Sequence, residues 1–248
     1  MRIAEIFYSI QGEGKLLGMP SVFVRVSGCN LRCTWCDTPY ASWKPDGPDM
    51  TVAQIVAEVL RLAEPTGPRY VVITGGEPMM FKDLVPLIDM LKGVGSHITV
   101  ETAGTLWLEG LPVGGIDLAS ISPKLANSTP HERDGGRFAQ THERQRINLG
   151  PLREFATSVG GVIKDRQWKF VISSPQDLEE MQELLATING DLDEPSQIAP
   201  EEILLMPEGT DAATLNERSR WLAALCKTHG YRLCPRLHVY LYGNTKGT

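Results

Sequence analysis

Two hydrophobic periods alternate along this chain. Short apolar runs mark strands, and apolar residues recurring every three or four positions mark helices. Strands are expected at 2–10 and 22–26, where Ile3, Ile6 and Phe7 precede Val22-Phe23-Val24-Arg25-Val26. Thr51 and Gln54 fit a capping box ahead of Val52, Ile55, Val56, Val59 and Leu60, which share one helical face. That helix is expected to stop near Pro65-Thr66-Gly67-Pro68. Tyr70–Thr74 reads as a buried parallel strand. A helix over 82–92, with Leu84, Leu87, Ile88 and Leu91 on one side, leads to strands at His97–Glu101 and Ile116–Ile121. Helices are then expected at Pro151–Val159, Pro175–Ile188 and Asp211–Thr228, separated by strands at Arg166–Ser173 and Ile203–Pro207. The alternation in Leu237–Tyr242 predicts a closing strand, with His238 at the edge of the core.

Polar groups follow the apolar strands. Tyr70–Thr74 runs into Gly75-Gly76-Glu77-Pro78, the next strand ends Glu101-Thr102-Ala103-Gly104, and the next Ser122-Pro123-Lys124. Repeated βα units place such strand ends around one mouth. The pattern predicts an α/β fold, a partial (open) β/α barrel of about six parallel strands, in a single domain spanning 1–248. An open barrel side needs a lid or a second subunit. Residues 125–146 break the rhythm and are too charged for a core element, so they read as an exposed loop or lid, with His131 and His142 as surface residues. Residues 189–200 read as an acidic linker.

Bulk properties narrow the function. At 248 residues, 42% hydrophobic and 22% charged, the composition is that of a globular domain. A net charge of −6 argues against a broad nucleic-acid-binding face. No stretch approaches a membrane span, and Met1–Glu5 lacks a signal-peptide core. Three of the five cysteines fall in Cys29-Asn30-Leu31-Arg32-Cys33-Thr34-Trp35-Cys36, so a reducing cytoplasm is expected. Cys226 lies in an apolar helical run, and Cys234 precedes Pro235 in a turn.

The C-x3-C-x2-C spacing can bring three thiolates to one soft metal centre. A cubane iron–sulfur cluster takes four ligands, so three local cysteines leave one iron open. A zinc knuckle would want a fourth Cys or His nearby, and the nearest histidine is His97. Arg25 stands in an otherwise apolar strand. It is either an edge residue facing solvent or a clamp on a carboxylate.

With Trp35 before the third cysteine, the triplet resembles the signature of the radical S-adenosylmethionine (SAM) superfamily. Gly75-Gly76-Glu77-Pro78 resembles that superfamily's SAM-binding turn. Within it, the chain resembles the 7-carboxy-7-deazaguanine synthase family through Gln11-Gly12-Glu13-Gly14, Phe23-Val24-Arg25, Cys36-Asp37-Thr38 and Ser122-Pro123-Lys124. Pro235-Arg236-Leu237-His238 and Gly243-Asn244 fit as well.

The resemblance implies an enzyme that converts 6-carboxy-5,6,7,8-tetrahydropterin to 7-carboxy-7-deazaguanine with loss of ammonia, on the path to queuosine. It implies a 4Fe-4S cluster on Cys29, Cys33 and Cys36, and Mg2+ on Thr38. SAM contacts map to Trp35, Asp37, Gly76, Glu101, Ser122 and Lys124. Substrate contacts map to Ile10, Gln11, Gly12, Arg25 and Thr74. A homodimer and a flavodoxin-type electron donor are also implied. Two rivals stand beside this reading. A glycyl-radical activase would share the cluster but not need Thr38; an electron-transfer protein would need a fourth fixed ligand.

Overall fold

The computed structural model describes residues 1–64, 67 and 69–248. The predicted helix stop at Pro65, Thr66 and Pro68 lies outside the described residues.

One eight-stranded sheet organises the chain, with neighbours in strict sequence order. β1 (Ile3–Ile10) and β2 (Pro20–Val26) are antiparallel. The link between them is too short for a parallel crossover. From β2 onward every pairing is parallel: β3 (Tyr70–Gly75), β4 (His97–Thr102), β5 (Ile116–Ile121), β6 (Ile163–Ile172), β7 (Ile203–Pro207) and the two-residue β8 (Arg232–Leu233). β2 to β7 are thus the expected run of parallel strands. Among the described residues β1 and β8 end the sheet without pairing with each other, so the barrel is open.

The helices are α1 (Val52–Leu62), α2 (Leu84–Gly93), α3 (Ala139–Gln145), α4 (Leu149–Thr157), α5 (Pro175–Asn189), α6 (Ala212–His229) and α7 (Leu237–Tyr242). Thr51 caps α1 as expected: its Oγ1 accepts from Gln54 N–H at 3.3 Å, and Gln54 Oε1 accepts from Thr51 N–H at 2.8 Å. The apolar face of α1 is narrower than predicted, because Leu60 is exposed.

Alternate residues of each strand serve two different faces. Val24 and Val26, Val71 and Ile73, Ile98 and Val100, and Trp168 and Phe170 belong to the main core with the helices. Their neighbours point inward, and many are polar: Arg25, Thr74, Glu101, Ser120, Gln167 and Lys169. These strands therefore have one face devoted to the core and one to a cavity.

Three expectations change. Leu237–Tyr242 is a helix, not a strand. The short β8 already occupies the edge beside β7, and Leu237 N–H instead bonds Gly12 O at 2.8 Å. Residues 125–146 are no extended lid: Leu125, Ser128 and Thr129 are buried and α3 forms within the segment. His142 is 1% exposed rather than on the surface, whereas His131 is exposed as expected. Among the described residues, no helix is long and apolar enough to cross a membrane.

Candidate active site

β2 runs directly into the cysteine loop. Gly28 opens it with φ 135°, a conformation that favours glycine. Gly28 N–H bonds Ala41 O at 2.8 Å, and Gly28 O accepts from Glu77 N–H at 2.8 Å. The loop is thereby tied to the Gly75–Pro78 turn. Gly76 has no room for a side chain, since a Cβ there would lie 1.8 Å from Gly28 O. Glu77 is fully buried. Its carboxylate accepts from Met79 N–H, Thr102 Oγ1 and Ala103 N–H at 3.1, 2.7 and 2.8 Å. Burial pushes its pKa up. Glu77 pins the turn to the end of β4, while Gly75 and Gly76 face a cavity of about 440 Å³.

Cys29, Cys33 and Cys36 all line that cavity. Leu31 N–H donates to Cys29 Sγ at 3.3 Å, and Ser42 Oγ lies 3.1 Å from Cys36 Sγ. Burial pushes the Cys29 and Cys33 thiols up to about 12, so their thiolates need a positive centre. Among the described residues, no three Cys, His, Asp or Glu side chains converge on one point as a single ion requires. Cys226 and Cys234 are not among the residues that line the cavity, and Cys234 packs behind its wall against Val171 and Met206. Three thiols lining one cavity can each take one iron of a cluster.

A polar row crosses the inner face. Register places Arg25 beside Thr74, Glu101 beside Ser120, and Ser120 beside Gln167. Thr74 Oγ1 donates to Glu101 Oε2 at 2.7 Å, and Gln11 Nε2 donates to Glu101 Oε1 at 3.3 Å. Gln167 Nε2 donates to Ser120 Oγ at 2.8 Å. Arg25 is interior, between β1 and β3, which rules out the edge reading. Its Nε donates to Glu5 Oε1 at 2.6 Å, and Tyr40 OH donates to the same oxygen at 2.6 Å. The Arg25 Nη groups make no hydrogen bond to the described residues, so the outer fork is available to the cavity.

A buried ionic group closes the wall opposite. Glu13 accepts from Lys169 Nζ and, at 3.1 Å, from Arg236 Nε. Arg236 also donates to Asp37 and, at 2.5 Å, to Gly209 O. Burial alone would raise the Glu13 pKa, but Lys169 and Arg236 hold it well below the usual carboxylate range. His238 lies against Gly12, where an added Cβ would sit 2.0 Å from His238 Nδ1. It therefore belongs to this wall and not to the core edge.

On the remaining side, Lys124 Nζ donates to Ser122 Oγ at 2.9 Å and lies 5.6 Å from the Trp35 ring. Trp35 Nε1 donates to Asn127 Oδ1 at 3.2 Å. Thr38 Oγ1 lies 3.8 Å from Cys36 Sγ.

The residues mapped to cluster, metal, SAM and substrate all line this one cavity. Cys29, Cys33, Cys36 and Thr38 line it, as do Trp35, Asp37, Gly76, Glu101, Ser122 and Lys124, and Ile10, Gln11, Gly12, Arg25 and Thr74. Sequence reasoning gave no site role to Glu13, Lys169 or Arg236 and placed His238 at the core edge, yet all four line it too. Lys169 could have been found: a lysine between Trp168 and Phe170 sits on the opposite face from both.

The family model of the radical SAM superfamily matches residues 23–147. A 7-carboxy-7-deazaguanine synthase of Halobacterium salinarum is 45% identical, with 99% of this chain and 92% of that protein covered. One from Rhodopirellula baltica is 40% identical, over 99% and 88%. The crystal structure of QueE from Escherichia coli superposes with a TM-score of 0.63 at 26% identity, covering 96% of this chain and 94% of that one. On likeness at this level along its whole length, the chain belongs to the 7-carboxy-7-deazaguanine synthase family of the radical SAM superfamily.

Proposed function

We propose that this chain is a radical SAM enzyme that makes 7-carboxy-7-deazaguanine, a queuosine precursor, from 6-carboxy-5,6,7,8-tetrahydropterin with loss of ammonia. The observation that carries the reading is convergence: the cysteine loop, the glycine turn and the polar row face one cavity in a chain that matches such synthases end to end. Residues 1–248 act as one domain. Cys29, Cys33 and Cys36 hold the 4Fe-4S cluster. When bound, cluster and SAM together supply radical chemistry at a substrate carbon.

The chain's own residues bind and orient. Gly76 lets the backbone approach the SAM amino acid closely, with Trp35, Asp37, Ser122 and Lys124 around the rest of the molecule. Arg25 offers its free fork to the substrate carboxylate, and Thr38 would hold a Mg2+ ion, a hard cation suited to carboxylate oxygen, in the same cavity. Ile10, Gln11, Gly12 and Thr74 contact the pterin. Glu101, bonded to Gln11 and Thr74, belongs with these substrate residues more than with SAM. A flavodoxin-type donor supplies electrons, and a homodimer covers the open side, where Tyr240, Leu241 and Tyr242 of α7 are exposed.

The test uses anaerobically reconstituted protein with dithionite, SAM, magnesium and the carboxy-tetrahydropterin, followed by mass spectrometry. The expected result is 7-carboxy-7-deazaguanine with SAM largely intact. SAM cleavage without that product would overturn the substrate assignment. No SAM turnover by a cluster-loaded protein would overturn the radical reading.

A further inference from the structure

Polarity predicts a free lid over 125–146, yet this segment lies against the cysteine loop and holds its peptide groups. Arg133 Nη1 donates to Thr34 O at 2.7 Å, and its guanidinium lies 4.2 Å from the Trp43 ring. Trp43 Nε1 in turn donates to Cys33 O at 3.0 Å. Arg32 Nη1 donates to Cys29 O at 2.7 Å and Leu31 O at 2.8 Å, with its guanidinium 5.4 Å from the Phe138 ring. Phe138 meets Trp43 edge-on at 5.6 Å. Ser128 O accepts from Thr34 N–H at 2.7 Å.

His142 completes the arrangement. Its Nδ1 lies 3.1 Å from Arg32 N, and its Nε2 lies 2.8 Å from Ser128 Oγ. The Ser128 hydroxyl gives its own proton to Leu125 O at 2.6 Å. The ring hydrogen must therefore sit on Nε2 and be donated to Ser128, leaving Nδ1 to accept from the Arg32 amide. That amide lies between Cys29 and Cys33. A neutral imidazole of fixed tautomer thus orients the peptide joining two cysteines of the triplet.

Arg32 and Arg133 each point a cation at carbonyl oxygens of the same loop. Among the described residues, neither has a carboxylate at ion-pair distance. Both charges remain uncompensated beside the place where a reduced cluster would gain negative charge.

We infer that Arg133 and His142 are positioning residues of the cysteine loop, holding its peptides so that the three thiols already surround the cavity, and that the Arg133 charge favours the reduced cluster. This rests on the assignment of Cys29, Cys33 and Cys36 as cluster ligands. The loop is preorganised from outside by a segment that contributes no ligand, which is how supporting shells tune metal sites. Net charge near a cluster is one of the levers on its potential.

The test uses four variants of the full chain, reconstituted anaerobically beside wild type: H142L, H142N, R133Q and R133K. Iron and sulfide per chain, loss of the visible cluster band in air, and midpoint potential from an electron paramagnetic resonance titration are measured. H142L strands the Arg32 amide and is expected to lose its cluster several-fold faster. H142N keeps an acceptor and should restore much of the wild-type lifetime. R133Q is expected to have a more negative midpoint, with R133K close to wild type. H142L and R133Q matching wild type in iron content, lifetime and potential would overturn the inference. If H142L fails to fold by far-ultraviolet circular dichroism, R133Q decides alone, because Arg133 is only half-buried. Wild type that takes up no cluster would instead overturn the ligand assignment.

Discussion

Replacing Arg236 with Met tests whether the buried ionic group braces the cavity. Arg236 is 5% exposed and ties together three segments far apart in sequence, through Glu13, Asp37 and the Gly209 carbonyl. Methionine fills much of the volume and supplies no donor. Removing one partner of a buried ion pair typically costs about 3–5 kcal/mol, because the stranded charge stays buried. Two features reduce that here. Glu13 keeps Lys169 as a partner, and the Asp37 side chain is 35% exposed, so water screens it. The expected cost is therefore about 2–3 kcal/mol, a sizeable share of a domain stability of about 5–15 kcal/mol. The assay is urea unfolding of the cluster-free protein under anaerobic conditions. With a slope near the upper end of about 1–3 kcal/mol/M, the midpoint should fall by about 1 M. Adding Asp37→Asn to Arg236→Met removes one stranded charge and should recover part of the loss. An Arg236→Met protein with the wild-type midpoint and slope would refute the bracing role, as would a double variant weaker than the single one.

Stability should also depend on pH through His142. Burial holds its pKa at about 4, against an ordinary 6.5, so the unfolded chain takes up the proton first. The contribution is full above about pH 6.5 and is lost as pH falls toward 4, a swing of about 3 kcal/mol; the pH-dependent urea midpoint of His142→Asn should lack that slope. Arg25→Lys replaces a bidentate fork with a point charge and should raise KM for the pterin about tenfold or more at unchanged SAM affinity, as initial rates and equilibrium dialysis would show. Gly76→Ala places a methyl group 1.8 Å from Gly28 O, beside Cys29, and should lower both SAM binding in dialysis and iron content after reconstitution. Thr38→Ala should flatten the response of activity to magnesium without lowering iron content; a wild-type magnesium titration would count against Thr38 as a ligand.

How much of this was readable from sequence depended on how local the cause was. β5 falls on Ile116–Ile121 as the pattern predicts, because Ile116, Leu118, Ala119 and Ile121 form a short apolar-rich run bounded by Gly114-Gly115 on one side and Ser122-Pro123 on the other. The Thr51 cap is equally local. Leu237–Tyr242 failed because its fate is decided elsewhere. Its alternating aromatic and aliphatic residues suit a strand, but the place beside β7 is taken by Arg232–Leu233, a pair too short to show any period. His142 was misjudged for a related reason. Polarity averaged over 125–146 says the segment is wet, yet it cannot tell which residue turns inward to Arg32 and Ser128. The cavity-lining residues named from sequence were legible because they cluster in short motifs. Glu13, Lys169 and Arg236 were not, since their partnership joins positions more than 60 residues apart and becomes visible only once β6 is laid beside the β1–β2 connection.

The same alternation that builds the core also builds the site, and this constrains register strongly. In β6, Trp168 and Phe170 are fully buried against the helices, while Gln167 and Lys169 face inward to Ser120 and Glu13. A one-residue slip would exchange the two sets. It would drive an unpaired lysine into the apolar layer and turn a tryptophan into the cavity, breaking the Glu13 network as well. β2 repeats the logic, with Val24 and Val26 in the core flanking an inward Arg25. Each inward charge therefore penalises the misregistered sheet as well as serving the cavity. Burying Lys169 and Arg25 costs desolvation that an apolar inner face would avoid. In return, the only low-energy register is the one that aims the polar row at the cavity beside the cysteine loop. The specificity of the fold and the geometry of the site thus rest on the same side chains.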